Sequence, residues 1–394
     1  MEERYKPVII VVAYNRIKPL ERLFHSLEQS HYPFDVKLIV SIDHSPGNEG
    51  VSGYVHAFNW SHGEKEIICR KENMGIKAHI IACADLVDQY DSVIILEDDL
   101  YVSPHFYTYA QKALDYYARD ERIAGISLYN YPAIEKREDP LPFTPVQDNS
   151  DVYFIQYAAS WGQAWTRKQW HGFKEWLGRH TSFAAYWGKV PFNVMDWPLT
   201  SWKKYFITYM IEQEKFFVFP TISLSTNFDD KGSNRSNDSH ELQSPLKIDD
   251  RPLQLKSLSE SFNVYDAFFE LLPEKMNRFC SGLSAYNYDV DLYGIKRDFE
   301  LKKEYVLTTK KCNQPIRSFG RYLKPHEMNI IFSVPGNDIS FCRRSDILDF
   351  SKDHRYAYFV SDFNYFHRKP LTFKDMLNFT KYRLNNKLKR VISQ

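Results

Sequence analysis

The sequence predicts an α/β protein: a mostly parallel β-sheet with helices on both faces, followed by a mainly helical or mixed C-terminal extension. Two observations support this. Apolar, β-branched runs alternate with helix-length segments over the first 130 residues, and three of these runs end in polar or acidic residues. Strands of a parallel sheet are buried on both faces, and its ligands bind at the carboxyl ends of the strands.

The predicted elements follow one another in a regular order. Strands are expected at residues 7–14, 36–43, 64–70, 92–96 and 123–128. A helix is expected after the first strand, where Leu20, Leu23, Phe24 and Leu27 recur at helical spacing. Further helices are expected at 75–87 and from Ser103-Pro104 onward, where serine would cap the helix and proline would occupy its first turn.

We predict that the chain consists of three regions, 1–130, 131–250 and 251–394. Residues 131–150 are rich in proline and aspartate, which is typical of a loop or crossing segment. The polar run 229–240 cannot bury apolar surface and predicts a mobile lid loop. Residues 261–279 resemble a helix and open the C-terminal region.

Composition limits the classes of function. Of the 394 residues, 43% are hydrophobic and 26% are charged, as in soluble globular proteins, and the net charge of +1 gives no indication of nucleic-acid binding. We find neither an apolar run of the ~18–20 residues needed to cross a bilayer nor a secretion signal. The five cysteines are scattered, so we expect reduced thiols in a cytoplasmic protein.

The most informative stretch is SVIILEDDLYVSPHF, residues 92–106, in which a buried strand ends in Glu97, Asp98 and Asp99. Like charges this close raise one another's pKa values, so their accumulation needs a reason. A divalent cation, Mg²⁺ or Mn²⁺, would hold the carboxylates in their ionised form. The alternative is a solvated turn whose acids favour the N-terminus of the next helix.

Several motifs together resemble one family. The segments VVAYNR, SID, ENMG, ILEDDLYVSPHF and SWGQAW occur in the order and approximate spacing of a GT-A fold glycosyltransferase. The sequence is most similar to the N-acetylglucosaminyltransferase I-like group and its bacterial family 2 relatives. The resemblance covers roughly residues 6–240, with Glu-Asp-Asp as the family's form of the DxD motif. It implies that residues 1–130 bind the nucleotide-sugar and residues 131–250 bind the acceptor.

The resemblance implies a role for each matching residue. Asp99 would bind the Mn²⁺ or Mg²⁺ that bridges the donor diphosphate. The residues implied to contact the nucleotide-sugar are Asn15, Arg16, Asp43, Asn73, Glu97, Asp98, Trp161, Gly162 and Ser233. Among them, Arg16 would reach phosphate and Asp43 the base. Trp165 would also line the sugar site, with packing in the core as the alternative for either tryptophan. Ser233, Arg235 and His240 are candidates for the lid.

An inverting transferase also needs a base that removes a proton from the acceptor hydroxyl. The resemblance points to Asp196, in NVMDWPLTSW, as this catalytic residue. Met195 stands where the family has the first acid of an Asp-Asp-Trp pattern, which is a departure from that pattern. A helix-capping role is the alternative for Asp196. Glu175 and Glu212 are further candidates for the base.

The last residues carry a concentration of positive charge. From Arg368 to the end there are eight lysine or arginine residues and one acid, Asp375, with apolar residues interleaved. Such a basic amphipathic helix predicts peripheral contact with an anionic membrane, which would suit a lipid-linked glycan acceptor. A solvated terminal helix is the alternative.

The sequence therefore predicts an inverting, metal-dependent glycosyltransferase. Its donor would be a nucleotide-sugar, expected to be UDP-linked, and its acceptor a glycan of a bacterial surface polysaccharide. The alternatives are a sugar nucleotidyltransferase and a non-catalytic binding protein with a transferase fold. The first of these normally carries a glycine-rich phosphate loop near the N-terminus, and VVAYNRIKP contains no glycine.

Overall fold

The computed structural model describes residues 5–135, 141–180, 182–228, 230–232, 242–350, 360, 363–364 and 367–392. The described strands are β1 (Val8–Ala13), β2 (Leu38–Ile42), β3 (Lys65–Cys69), β4 (Ser92–Glu97), β5 (Leu100–Val102), β6 (Ile123–Ser127), β7 (Ala133–Ile134), β8 (Leu141–Pro142), β9 (Val152–Ile155), β10 (Gln163–Thr166), β11 (Phe216–Pro220), β12 (Ser225–Asn227), β13 (Val264–Tyr265), β14 (Tyr288–Asp291), β15 (Tyr305–Thr308), β16 (Arg317–Phe319) and β17 (Ile339–Arg343).

The helices of the same residues are α1 (Ile17–Glu28), α2 (Glu49–Ala57), α3 (Gly75–Ala84), α4 (Val87–Tyr90), α5 (Phe106–Tyr117), α6 (Arg167–Arg179), α7 (Phe192–Met195), α8 (Trp202–Glu212), α9 (Pro273–Met276), α10 (Glu327–Ile331) and α11 (Phe373–Ile392). Helix α1 buries Leu20, Leu23, Phe24 and Leu27, the four positions at helical spacing. Its other face stays in solvent, as expected of an amphipathic helix on a sheet.

A nine-stranded sheet forms the core, in the order β13-β9-β11-β6-β10-β4-β1-β2-β3. Strands β1, β2, β3 and β4 pair in parallel, and so do β6 with β11. Strand β10 runs antiparallel to both of its neighbours, β4 and β6, and β9 runs antiparallel to β11. The predicted α/β class with a mostly parallel sheet is confirmed, and the five predicted strands correspond to β1, β2, β3, β4 and β6.

Two predicted helices differ from the structure. The helix expected at 75–87 divides into α3 and α4 around Asp85, whose carboxylate accepts hydrogen bonds from Trp170 and Lys174 of α6. Helix α5 begins at Phe106 rather than at the Ser103-Pro104 pair. Ser103 is tied into extended backbone instead, because its N–H donates to Leu224 O at 2.8 Å and its hydroxyl donates to Lys247 O.

The C-terminal region is mixed rather than helical where it begins. The segment 261–279 is not a helix; it forms β13, a turn and the short α9. Asp266 interrupts the segment because its carboxylate accepts the backbone N–H groups of Phe268 and Glu270, at 2.8 and 3.0 Å. Proline 273 then starts α9, a position that proline favours.

The C-terminal region contributes one strand to the central sheet and also forms a sheet of its own. Strand β13 extends the nine-stranded sheet by pairing in parallel with β9. Strands β14, β15, β17 and β16 form a separate four-stranded sheet. Helix α11 carries the basic terminal segment, and no described helix is both long enough and apolar enough to cross a membrane. The three-region division stays a prediction.

Burial of one acid in α10 predicts how stability depends on pH. Glu327 is 1% exposed, and burial raises the pKa of its carboxyl from 4.5 to about 7. Between these two pH values the folded protein binds more protons at Glu327 than the unfolded chain does, so stability falls as pH rises. Above pH 7 this loss is complete.

We therefore expect Glu327→Gln to remove this loss of stability. At pH 8.5 the variant should have a higher free energy of unfolding than the unaltered chain, by up to about 3 kcal/mol, and at pH 4 the two should be similar. Urea unfolding at both pH values measures the difference. The exposed Glu274→Gln is the matched control. A difference that is the same at both pH values would contradict the assignment.

Candidate functional site

The polar residues that follow β1 and β4 meet at one edge of the sheet. Val12 of β1 lies opposite Glu97, the last residue of β4, in a parallel register. The chain after each strand therefore emerges at the same carboxyl edge, which places Arg16 beside Asp98 and Asp99. The sequence predicted this convergence of the two segments.

Arg16 joins two of the three acids. Its guanidinium Nη2 donates to Asp98 Oδ1 and, at 3.0 Å, to Asp99 Oδ2. Burial lowers the pKa of the guanidinium, but the two carboxylates raise it by more, so Arg16 stays charged. Burial raises the pKa of Asp98 to about 6, and Arg16 acts against this rise. One cation thus offsets much of the repulsion between two acids.

The alternation of side chains that a strand would impose does not extend through the acids. Strand β4 ends at Glu97, and Asp98 and Asp99 form a turn before β5. Both aspartates can therefore reach Arg16, where an extended strand would direct them to opposite faces. Helix α5 begins only after β5, so these contacts, rather than a helix N-terminus, engage the acids.

Burial and neighbouring charges both act on the Glu97 carboxyl. Burial raises the pKa of its carboxyl to about 8, and the negative charges of Asp99 and Asp98 add to this effect. The positive charge of Lys203 lowers this pKa, so Lys203 lies close enough to interact with Glu97.

We call Glu97, Asp98 and Asp99 the acid cluster. The chain that leads into the predicted lid is in contact with this cluster. Strands β5 and β12 form a two-stranded ribbon, in which Asn227 lies opposite Leu100. Asn227 Nδ2 donates to Asp99 Oδ1 at 2.9 Å, and Phe228 N donates to Asp99 O at 3.1 Å. A Cβ on Gly232 would lie 3.0 Å from Arg16 Nη1. The start of the lid is therefore in contact with the acids and with Arg16.

Arg22 holds the same segment from the side of α1. Its guanidinium lies 3.8 Å from the centre of the Phe228 ring and forms an ion pair with Asp230. The predicted lid residues Ser233, Arg235 and His240 lie outside the described residues. Sequence reasoning missed Arg22, which belongs to no motif, and gave no role to Phe228, although the run 227–233 resembles a loop segment of the family.

The predicted base-binding residues organise the loop before α3. The Asp43 carboxylate accepts the backbone N–H groups of Met74 and Gly75, at 2.9 and 3.1 Å. Asn73 Nδ2 donates to the hydroxyl of Tyr14 at 3.0 Å. Asn15 is exposed at the rim. Asp43 thus fixes the N-terminus of α3, and its contact with a base stays a prediction.

Trp161 and Gly162 reach the same edge because β10 runs antiparallel to β4. The beginning of β10 therefore lies at the carboxyl end of β4. Gly162 has φ +93°, and a Cβ there would approach Leu128 Cδ1 to 3.0 Å, so glycine is required. Trp161 packs edge-on against Tyr129 with ring centres 4.6 Å apart.

Trp165 does not line a sugar site. Its side chain is fully buried, with its ring centre 4.9 Å from that of Trp170 and 5.7 Å from that of Phe206. Because side chains alternate along a strand and α6 and α8 cover this part of β10, the indole belongs to the core. The prediction that Trp165 contacts the sugar is wrong.

A second charged cluster, missed in the sequence, lies beside Glu97. Lys203 Nζ contacts the two Glu135 carboxylate oxygens at 2.9 and 3.2 Å, and the Tyr157 hydroxyl donates to Glu135 Oε2 at 3.1 Å. The ammonium also lies 5.3 Å from the Trp161 ring centre and 4.9 Å from that of Trp197. We call Glu135, Tyr157, Trp161, Trp197 and Lys203 the lysine cluster. No local sequence pattern links its members.

Asp196 lies next to this cluster, at the end of α7. It is exposed, and its backbone N–H closes the helix onto Phe192 O at 3.0 Å. The following residue, Trp197, belongs to the lysine cluster. Asp196 is thus the chain neighbour of one member of the lysine cluster, and its role as base stays a prediction.

The two other candidates for the base lie elsewhere. Glu212 is nine residues beyond Lys203 on α8, about 14 Å along the helix axis, and it binds Trp176 and Tyr186. Glu175 is exposed on α6 and forms an ion pair with Arg179. Neither carboxylate reaches the acid cluster, so neither suits the role of base.

The acids fit a divalent cation in part. Asp98 Oδ2 is buried and has no hydrogen-bond partner. The side-chain amide of Gln163, the first residue of β10, is also buried, and neither its nitrogen nor its oxygen has a hydrogen-bond partner. Such buried polar atoms call for a ligand, an ion or water. Within the residues that the structure describes, no three His, Cys, Asp or Glu side chains surround a common point. Arg16 occupies the position between the acids, so a cation bound there would compete with the guanidinium.

Comparison with known proteins gives partial structural likenesses. No protein-family model matches this chain, and no curated protein sequence does either. The crystal structure of S. aureus TarS 1–349 is similar with a TM-score of 0.35 and 11% identity, over 55% of this chain and 59% of that one. GalNAc-T7, solved with UDP, GalNAc and Mn²⁺, gives a TM-score of 0.37 and 14% identity over 56% of this chain and 43% of that one.

A third neighbour is the mannosyltransferase PcManGT from Pyrobaculum calidifontis, in complex with GDP-Man and Mn²⁺. Its TM-score is 0.29 and its identity 15%, over 44% of this chain and 47% of that one. This chain covers less than two thirds of each of the three neighbours.

The link between Arg16 and the aspartates can be tested by a double-mutant cycle. Arg16→Ala should destabilise the protein by about 3 kcal/mol, because it leaves two poorly solvated carboxylates without their cation. Adding Asp98→Asn should recover part of this loss, since one of the unpaired charges is removed. Urea unfolding measures all four forms.

The exposed Arg119→Ala serves as the control and should change stability little. If the effects of Arg16→Ala and Asp98→Asn simply add, the two residues are not energetically coupled and the bridge does not stabilise the fold.

Proposed function

We propose that this chain is a metal-dependent glycosyltransferase that moves a sugar from a nucleotide-sugar to the hydroxyl group of a glycan acceptor. The observation that carries the proposal is the meeting, at one carboxyl edge, of the acid cluster with its arginine and the lysine cluster with its tryptophans. A diphosphate needs cations, and a sugar ring packs well on aromatic rings. Both requirements are provided within one site.

The acid cluster would hold the donor. Asp99, with Asp98, would bind Mn²⁺ or Mg²⁺, and this ion would supply positive charge to the diphosphate as it leaves. Arg16 lies within reach of the same phosphates and would neutralise part of their charge. Asn15, Asp43 and Asn73 would form the nucleotide side of the site. Glu97 would contact the ribose or the sugar.

The lysine cluster would hold the transferred sugar and the accepting hydroxyl. The acceptor oxygen attacks the anomeric carbon, the bond between that carbon and the diphosphate oxygen breaks, and the hydroxyl proton passes to a base. We propose Asp196 as this base, with direct attack inverting the anomeric configuration. Glu135 is the second candidate, because its carboxylate contacts Lys203 Nζ, and this ammonium lies near the rings of Trp161 and Trp197.

The donor nucleotide, the class of acceptor and the cellular location are proposed from the sequence alone. We propose a UDP-linked donor, an acceptor in bacterial surface polysaccharide synthesis, and cytoplasmic action near the membrane. Helix α11 leaves Phe373, Leu377, Phe379 and Tyr382 between 46 and 71% exposed. These apolar side chains, together with the basic residues around them, would suit peripheral contact with an anionic membrane.

The donor can be identified by thermal shift. We expect one class among UDP-, GDP-, CMP- and dTDP-sugars to raise the melting temperature, and only with Mn²⁺ or Mg²⁺ present. A ligand at a hundredfold excess over its Kd stabilises the folded state by about 2.7 kcal/mol. Asp99→Asn should remove the shift, whereas the exposed Asp91→Asn should keep it. A nucleotidyltransferase would instead respond to a sugar phosphate with a nucleoside triphosphate, and no response to any nucleotide would refute the proposal.

The base can be identified by separating binding from turnover. Asp196→Asn should keep the metal-dependent thermal shift and lower kcat at least 100-fold, because proton transfer contributes about 10²–10⁴-fold. Glu135→Gln should mainly raise the KM for the acceptor. If the two variants behave in the reverse way, Glu135 is the base. Retained turnover in both would exclude both residues, and donor binding without turnover in the unaltered chain would indicate a non-catalytic binding protein.

A further inference from the structure

A second aromatic surface lies at the other end of α7 from Asp196. Trp187 is 55% exposed, and its ring stacks on that of Phe299, with centroids 5.1 Å apart and planes 16° apart. The edge of Phe192, the first residue of α7, meets the same indole at 5.8 Å. An exposed flat ring that is backed by another ring can serve as a platform on which a sugar stacks.

Contacts between two chain segments hold this platform in place. The backbone N–H of Phe192 donates to Glu300 Oε1 at 2.9 Å, and the Arg297 guanidinium lies 3.5 Å from the Phe192 ring centre. Gly188, with φ +72°, allows a close approach, since a Cβ there would lie 2.5 Å from Phe299 O. The platform is therefore fixed before any ligand arrives, which lowers the entropy lost on binding.

A cationic groove adjoins the platform. Its volume is about 680 Å³, and its charged lining consists of Lys302, Lys303, Arg343, Arg344, Asp298 and Glu304. Arg344 Nε donates to Asp298 Oδ1 at 2.9 Å, and Arg343 lies 3.4 Å from Glu304. A third acid, Asp289, accepts the backbone N–H groups of Lys302 and Lys303 at 2.6 and 2.8 Å, and Lys302 Nζ donates to Phe299 O. The four cations still outnumber the three acids. Lys302 Nζ would lie 2.7 Å from a Cβ on Gly188, so the groove and the platform are continuous.

Helix α7 links this surface to the proposed reaction site. Phe192 begins the helix at the platform, and the next residue, Asn193, donates from Nδ2 to Glu135 O at 2.7 Å, in the lysine cluster. A four-residue helix is about 6 Å long. A glycan whose end lies at the lysine cluster can therefore extend along α7 onto Trp187 and into the groove.

We propose that the platform and the cationic groove bind the extended part of an acidic glycan acceptor, a sugar chain that carries carboxylate, phosphate or sulfate groups. A sugar ring of this chain stacks on Trp187, and its anionic groups pair with Lys302 and Lys303. This inference rests on the proposed function and specifies its acceptor class. A sugar chain can contact both the groove and the indole, whereas a flat lipid surface would contact neither well. We therefore favour a sugar chain over a membrane.

Isothermal titration calorimetry of the full chain tests the proposal, with polygalacturonic acid and dextran sulfate as acidic probes and neutral dextran as comparison. We expect the acidic polymers to bind and neutral dextran to bind at least tenfold more weakly. The double variant K302E/K303E should lower the affinity for the acidic polymers tenfold or more and flatten its dependence on salt, because two ionic contacts are lost. Trp187→Ala should lower the affinity even at high salt.

The controls are Lys112→Glu, an exposed lysine of α5, and Phe332→Ala, a ring that is 63% exposed beyond α10. Both should bind like the unaltered chain. Vesicles containing anionic lipid provide a further arm, and if K302E/K303E weakens binding to them rather than to the polymers, the groove serves a membrane and the proposal is wrong.

The nucleotide-sugar panel on the unaltered chain separates this proposal from the one on which it rests. Absence of any nucleotide response would refute the transferase function. A nucleotide response together with no binding of acidic polymers, or with equal binding by the groove variants and the controls, would overturn the acidic acceptor alone.

Discussion

The contact of Arg16 with Asp98 and Asp99 is the interaction on which the site depends. Two parallel strands deliver their carboxyl ends to one place, and without a cation the acids would repel each other in a poorly solvated environment. The arginine makes this concentration of negative charge compatible with folding. As a consequence, any divalent ion that bound between Asp98 and Asp99 would have to replace a contact that already exists.

The same contact connects the acids to the segment that precedes the lid. Asn227 and Phe228 bind Asp99, and Gly232 lies against Arg16. A change in the position or charge of the acids would therefore act on this segment directly through these hydrogen bonds, and not through the sheet. On the other side, Lys203 acts on the charge of Glu97 and contacts Glu135. The two halves of the site thus form one electrostatic unit.

The sequence predicted much of the sheet and part of the site. The apolar runs at β1, β2, β3, β4 and β6 are long and β-branched, so burial alone identifies them. The convergence of Arg16 with the acids followed from parallel pairing. The contact between them was not predicted, because a turn at Asp98 and Asp99 replaces the strand geometry.

Other features could not be read from local patterns. The lysine cluster combines residues from segments near 135, 157, 161, 197 and 203, and only the tertiary fold brings them together. The segment 261–279 has the apolar content of a helix, but one aspartate that binds two backbone N–H groups redirects the chain. Trp165 belongs to the core because it lies within β10, where α6 and α8 cover the sheet, whereas Trp161 lies in the loop before the strand.

The antiparallel direction of β10 has a consequence for how such a protein can diversify. The acids follow a strand, whereas Trp161 and Gly162 precede one, so the two parts of the site come from loops that share no residues. Substitutions or insertions before β10 can change the surroundings of Trp161 while β4 and the acids that follow it keep their register. If these two parts bind the sugar and the diphosphate as proposed, the sugar that is accepted can change while the residues that would hold the phosphates stay the same.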